Sequence, residues 1–305
     1  MGIVNKRFGK GVRYWECMNE PDTWSDFANN DWKPMFTLYN DCAEAMKALD
    51  PSIVVGGPTM SWYDHALADQ FLSACWSNVG FLSWHGYMAG QSLTPPLDKE
   101  AIYAKVMQRI PRFDHEAADA RAVVAAHESG PDKHPVLLDL DEFNIPGDWR
   151  STGWGQQGYI GATFFAAMLV HLAKDRMDMT ANWPDKDDVY GLVDMSDRMR
   201  PPAYVYEMAN DDLIGTIAPS ASADPDCACL AIDRGAGAAG GRHAILLVNT
   251  ADRSKTITLR CGLGPNRQAR ITRIDANGTQ REERRLGASA QVRLPGFSVT
   301  LLMLP

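Results

Sequence analysis

The sequence predicts an α/β protein in which a parallel sheet with its covering helices is followed by a small antiparallel β-domain. Three observations carry this. Apolar strand-like runs and segments of helical period alternate five times between residues 12 and 213. Polar and aromatic residues gather just after each strand-like run, where open α/β sheets and eight-stranded (β/α) barrels both carry their sites. Beyond residue 214 the helical period disappears, and short β-rich runs separated by turn residues take over.

The elements follow in order. A first strand is expected over 12–18, Val-Arg-Tyr-Trp-Glu-Cys-Met, closed by Asn19-Glu20-Pro21-Asp22. Residues 34–49 space Met35, Leu38, Cys42, Ala45, Met46 and Leu49 at steps of three and four, which predicts a helix that Asp50-Pro51 stops. Ile53-Val54-Val55 is a second strand ending at Gly56-Gly57-Pro58, and a helix is expected over 64–76. Residues 79–84 make a third strand that runs into His85-Gly86-Tyr87, followed by one long helix over 99–128. Residues 136–140 make a fourth, leading into Asp141-Glu142-Phe143-Asn144, with a helix over 156–174. A fifth strand over 177–181 ends at Asn182-Trp183, and 202–213 is helical. The domain boundaries drawn from this are 1–213 for the catalytic-type (β/α) domain and 214–305 for a β-sandwich.

In the second part, strands are expected at 227–232, 243–249, 255–260, 268–274, 290–294 and 297–304. The glycine run 235–241 is a hairpin tip rather than a phosphate loop, because no helix and no Gly-Lys-Ser/Thr follows it. Asn277-Gly278-Thr279 matches a glycosylation sequon, but Asn-Gly is also the strongest short hairpin signal, and the turn is the preferred reading.

Composition narrows the function class. Hydrophobic residues at 45% and charged residues at 22% are ordinary for a globular chain, so a packed core is expected. A net charge of −8 with no Lys/Arg-rich stripe argues against a nucleic-acid partner. The charged stretches 185–188 and 281–285 are read as solvated loops or strand faces. No apolar run reaches the ~18 residues of a membrane span, and the strongest, residues 164–172, is interrupted by His171. No secretory h-region is visible, which leaves a cytoplasmic chain or one secreted under a leader that precedes Met1. Lys6 stands where a myristoylation signal needs Ser or Thr. The six cysteines form no C-x-x-C pair, so neither a zinc site nor a disulfide framework is expected, and no cofactor or metal is called for.

Strand-end carboxylates are the chemistry-bearing feature. Trp15-Glu16-Cys17-Met18-Asn19-Glu20-Pro21 resembles the W-E-x-x-N-E-P segment of glycoside hydrolase family 39. Val55-Gly56-Gly57-Pro58 is similar to that family's V-G-G-P, and Phe81 to Tyr87 to its F-x-S-x-H-x-Y. Leu138 to Asn144 resembles the segment that bears its nucleophile, and Leu294 to Val299 the last strand of its accessory β-sandwich. The resemblance implies a (β/α)8 TIM-type barrel followed by a β-sandwich, and a retaining glycosidase of β-xylosidase type. It implies Glu20 as acid/base and Glu142 as nucleophile. Asn19 is then expected on the sugar 2-hydroxyl, Tyr87 on Glu142, Trp183 as a platform under the sugar ring, and His85 in the same subsite. Trp15, Trp84 and Trp149 are as well suited to core packing as to substrate contact. Asp139 and Asp141 are read as supporting or solvated, and Glu16 as alternating away from the site.

On this resemblance the chain starts at the fourth barrel strand, so its first strand is an open edge that a complementing chain or a second copy would cover. Other retaining activities fit the same residues: an α-L-arabinofuranosidase, which Asp141-Glu142-Phe143-Asn144 also suits, an α-L-iduronidase, or an endo-glycanase. A non-catalytic glycan-binding remnant is the alternative from another class.

Overall fold

The computed structural model describes residues 1–305 apart from 10, 24–26, 28–30, 89–98, 130–132, 146–155, 262–266 and 288. Trp149 therefore lies outside the described residues. The chain divides into two compact units, one of residues 1–86, 112–143 and 175–182, the other of residues 87–111, 144–174 and 183–305.

The first unit is organised on a five-stranded sheet of order β1-β2-β3-β4-β5, with β1 Tyr14–Glu16, β2 Val54–Met60, β3 Phe81–Tyr87, β4 Leu137–Asn144 and β5 Met179–Asn182. Pairings β1–β2, β2–β3 and β4–β5 are parallel. After a short helix α1 Gly2–Arg7, the unit's helices are α2 Lys33–Leu49, α3 His65–Cys75 and α5 Arg112–His127. Each buries a stripe of helical spacing: Met35, Tyr39 and Ala43 on α2, and Leu67, Phe71 and Cys75 among those on α3. Tyr39 meets Phe71 edge-on, ring centroids 4.7 Å apart. The Asp64 side chain caps α3 by accepting from the Leu67 amide at 2.9 Å.

Strands β2 to β4 run past the apolar residues that announce them. The expected ends were residues 55, 84 and 140, whereas pairing continues to Met60, Tyr87 and Asn144. The polar extensions stay in the ladder because their side chains turn into the sheet's interior. Strand β1 is shorter than expected, and the helix expected over 99–128 is two: α4 Lys99–Arg109 and α5. Pro111 sits at the break, as its missing N–H and its ring clash require.

The second unit holds a six-stranded antiparallel sheet, order β11-β10-β13-β8-β7-β6, and a two-stranded sheet β12-β9. The strands are β6 Thr216–Ala218, β7 Cys227–Asp233, β8 His243–Asn249, β9 Lys255–Arg260, β10 Arg267–Asp275, β11 Gly278–Leu286, β12 Ser289–Leu294 and β13 Ser298–Leu304. Every residue of β13 is buried. Leu302 and Leu304 join a core with Leu259, Val292 and Leu294 of β9 and β12, and α6 Tyr159–Lys174 packs on the same strand. Helix α6 also contacts β7, β8, β10 and α7 Pro201–Asp211. That explains the strongest apolar stretch of the sequence: it is a core helix buried nearly all round. Among the described residues no helix is long and apolar enough to cross a membrane. All six cysteines are free thiols. The glycine run lies in the β7–β8 connection, with Gly235, Gly237, Gly240 and Gly241 at positive φ, and Asp275 pairs Gly278 across a two-residue hairpin turn.

Candidate active site

The site is assembled at the carboxyl ends of β1, β2, β3 and β4. The loop after β1 is pinned to the end of β2. Thr59 donates its hydroxyl to the Met18 carbonyl at 2.6 Å, and its own carbonyl accepts from the Glu20 amide at 3.0 Å. Its amide in turn donates to the Ser83 hydroxyl of β3 at 3.1 Å. Asp22 accepts from the Ser61 amide at 2.9 Å and from the Ser61 hydroxyl at 2.7 Å. Glu20 and Thr59 both have left-handed backbones, φ 45° and 57°. For a β-branched residue such as Thr59 that conformation costs of order 1–3 kcal/mol, and it persists only because these bonds over-determine it.

Both bearing strands carry an irregular register. On β2, Gly57 pairs Leu82 and Met60 pairs Trp84, so three steps oppose two. On β4, Leu140 pairs Thr180 and Phe143 pairs Asn182. A bulge of this kind re-aims side chains. It lets two consecutive residues, Asp141 and Glu142, both approach one imidazole.

That imidazole is His85, whose side chain is fully buried. Its Nδ1 lies 2.9 Å from Glu20 Oε1. Its Nε2 lies 3.4 Å from Asp141 Oδ2 and 3.6 Å from Glu142 Oε2, within ion-pair range but too long for a full hydrogen bond. Burial works against a charge on His85, but the close approach of Asp141, the hydrogen bond to Glu20 and the charges of Asp141 and Glu142 outweigh it and push its pKa up to about 10. His85 is thus an imidazolium at neutral pH, and Nδ1 donates to Glu20. The carboxyls of Glu20 and Glu142 keep 19% and 14% of their side-chain surface, enough to meet a ligand.

Behind this trio lies a second layer of acids. Burial and then the charge of Asp141 push the Glu16 carboxyl up to about 9. Burial, with Asp141 and Asp178 nearby, pushes Asp139 up to about 7. Burial raises Asp141 as well, against the pull of His85. The reading of Glu16 as turned away is corrected here. Its carboxyl lies beside Ser83 and Asp141 in the interior, because the chain leaves the strand after Glu16 and strand alternation does not carry across the loop.

Of the other expected site residues, Asn19 is exposed on the loop beside Glu20. Trp84 is core, edge-on to Tyr63 at 5.4 Å, and the Trp15 indole donates to the Val12 carbonyl at 2.9 Å. Tyr87 and Trp183 belong to the second unit. There Tyr87 lies 6.5 Å from the Tyr190 ring. Trp183 is 48% exposed, with its carbonyl accepting from the Asn144 side chain at 2.8 Å. Thr59 and Asp22 carry no motif signal, and Ser83 lies in the F-x-S-x-H-x-Y segment without a role attached to it, since these roles exist only once the strands are side by side.

One ligand atom each from Glu20, His85 and Glu142 lies within 4.8 Å of the others. A small cation held at that spacing would have to displace the proton of His85, whose positive charge already stands between the carboxylates. The arrangement is therefore two partly exposed carboxyls bridged by a buried cation, which suits paired proton donation and nucleophilic attack.

Comparison with known proteins agrees. The family model for glycosyl hydrolases family 39 matches residues 4–183, more than half of the chain. Among solved structures, the fold is similar to the GH51 arabinofuranosidase from Xanthomonas axonopodis pv. citri, with TM-score 0.77 and 17% identity over 100% of this chain and 70% of that one. It is similar to a monomeric beta-xylosidase from Caulobacter crescentus CB15, with TM-score 0.66 and 18% identity over 99% and 72%. It is also similar to Cel44A, a GH family 44 endoglucanase from Clostridium thermocellum, with TM-score 0.72 and 13% identity over 100% and 69%. At these identities the structural likenesses bear on the fold, and the family rests on the match over residues 4–183: the chain belongs to the glycosyl hydrolases of family 39.

Proposed function

We propose that this O-glycosyl hydrolase cleaves its carbohydrate substrate with retention, with Glu142 as nucleophile and Glu20 as acid/base, and that it is a β-xylosidase. The observation that carries the mechanism is the separation of the two carboxyls, whose nearest oxygens lie within 4.8 Å. Retaining enzymes need about 5–5.5 Å between the groups, whereas inverting ones need about 6.5–9.5 Å to admit a water.

On this reading Glu142 attacks the anomeric carbon while Glu20 protonates the departing glycosidic oxygen, leaving a glycosyl ester on Glu142. Glu20, now a carboxylate, takes a proton from water, and the resulting attack releases the sugar with its configuration retained. His85 donates to one oxygen of Glu20, which leaves the proton on the other, facing substrate. Asn19 binds the 2-hydroxyl of the sugar. The five-stranded sheet is then part of a (β/α)8 barrel and the two antiparallel sheets a β-sandwich. A second copy or chain covers the outer edge of β1, where Tyr14 is 42% exposed.

An α-L-arabinofuranosidase is the second reading, favoured by Asp141 directly before Glu142 and by the likeness to the GH51 enzyme. The test is a pair of mechanism-based 2-fluoroglycosides, xyloside and arabinofuranoside. One glycosyl unit added to Glu142, found by peptide mass, supports the mechanism, and the sugar that labels decides between the readings. Labelling elsewhere, or by neither probe, sinks the assignment.

A further inference from the structure

We propose that Glu16 is a positioning residue for the acid/base: it stays a neutral carboxylic acid, hydrogen-bonds Asp141, and through Asp141 holds His85 against Glu20. Its catalytic consequence rests on the roles proposed for Glu20 and Glu142, whereas its protonation state does not.

The geometry begins with two orphan oxygens. Glu16 Oε1 and Asp141 Oδ1 are both shut off from solvent, and neither has a hydrogen-bond partner if both groups are anions. The two side chains nevertheless meet. Two carboxylates in such contact cannot both ionise, and one proton between them turns two unsatisfied acceptors into a hydrogen bond. The proton belongs on Glu16. Asp141 has His85 Nε2 at 3.4 Å to balance its charge, while Glu16 takes part in no ion pair among the described residues and has only the neutral Ser83 hydroxyl beside it. The contact with Asp141 raises the affinity of Glu16 for a proton and lowers that of Asp141.

The charge count points the same way. The groups facing this interior are Glu16 from β1, Glu20 from the loop after it, His85 from β3, and Asp139, Asp141 and Glu142 from β4, with Asp178 beside Asp139. His85 supplies the one cation among them, so even with the proton of Glu20 counted the anions outnumber the cations, and a second neutral acid lowers the cost of burying the cluster. With Glu16 neutral, Asp141 is left as a full anion against Nε2, which sets the ring so that Nδ1 points at Glu20 at 2.9 Å.

Two substitutions separate this from simple packing. Glu16→Gln keeps a neutral donor toward Asp141, whereas Glu16→Met fills similar space with none. The expected result is that Glu16→Gln keeps kcat and KM on an aryl glycoside within about threefold. Glu16→Met should lose about 10²-fold in kcat with little change in KM. Its alkaline limb should move to lower pH, because Asp141 takes the proton and His85 loses its anion. Infrared difference spectra at neutral pH should contain a protonated-carboxyl C=O band that Glu16→Gln removes. Equal damage from Gln and Met, an unmoved pH profile in Glu16→Met, or the same carboxyl band in wild type and Glu16→Gln would each overturn the proposal. If the wild-type protein turns over no glycoside, the assignment of Glu20 and Glu142 fails by itself, and the infrared comparison decides on Glu16 alone.

Discussion

Replacing His85 by Gln removes a buried cation while leaving an amide able to donate toward Glu20, and its cost should depend on pH in a calculable way. The folded pKa is about 10 against an ordinary value of 6.5. A group that binds its proton more tightly when folded contributes its full stabilisation below the unfolded pKa and loses it as pH rises through the folded one. At 1.36 kcal/mol per unit, the imidazolium contributes roughly 5 kcal/mol below pH 6, about 4 kcal/mol at pH 7 and about 1 kcal/mol at pH 9. The side chain is fully buried, so solvent does not screen this. The value at pH 7 also agrees with the roughly 3–5 kcal/mol lost when one partner of a buried ion pair is removed. Urea unfolding of wild type and His85→Gln at pH 6, 7, 8 and 9 measures it. The stability gap should narrow from roughly 4 to about 1 kcal/mol between pH 7 and 9. A gap that stays constant across that range would show that His85 is neutral and matters only for packing, and the charge argument for the site would fall.

Four further outcomes follow from particular contacts. Glu20→Gln should slow glycosides with poor leaving groups far more than activated aryl glycosides, by a ratio of about 10² or more; equal losses measured on both would remove Glu20 as the acid. Gly56→Ala would put its Cβ 2.3 Å from the Phe81 ring, which is itself core, so a loss of about 1–3 kcal/mol is expected in chemical denaturation, and an unchanged midpoint would contradict the packing. Asp22→Ala cuts the bonds that tie the loop after β1 to Ser61; kcat should drop about tenfold or more with the fold intact by circular dichroism, and full activity would mean that Thr59 alone holds Glu20. Sedimentation should find a dimer or larger species through the edge of β1; a stable monomer at micromolar concentration would refute that proposal.

The sequence by itself determined the succession of elements and, through the family resemblance, pointed to the two carboxylates proposed for catalysis. Helical period over 34–49 and 64–76 and apolar runs ending in Glu20, His85 and Glu142 are local properties, and local physics carries them. Strand β11 has only a turn signal and a charged stretch in the sequence, for an equally physical reason. Gly278–Leu286 is an edge strand of almost entirely charged and polar residues, and nothing but its pairing with β10 makes it a strand. The break between α4 and α5 is legible in the sequence, since Pro111 cannot continue a helix. Tertiary structure alone decided what the acids do to one another. The bulge that turns both Asp141 and Glu142 toward His85, the clamp of Thr59 on Glu20, and the contact of Glu16 with Asp141 join residues far apart in the chain. Their charges interact strongly only because burial strips away water. Sequence names the ionisable groups, and the sheet that brings them together chooses which of them holds a proton.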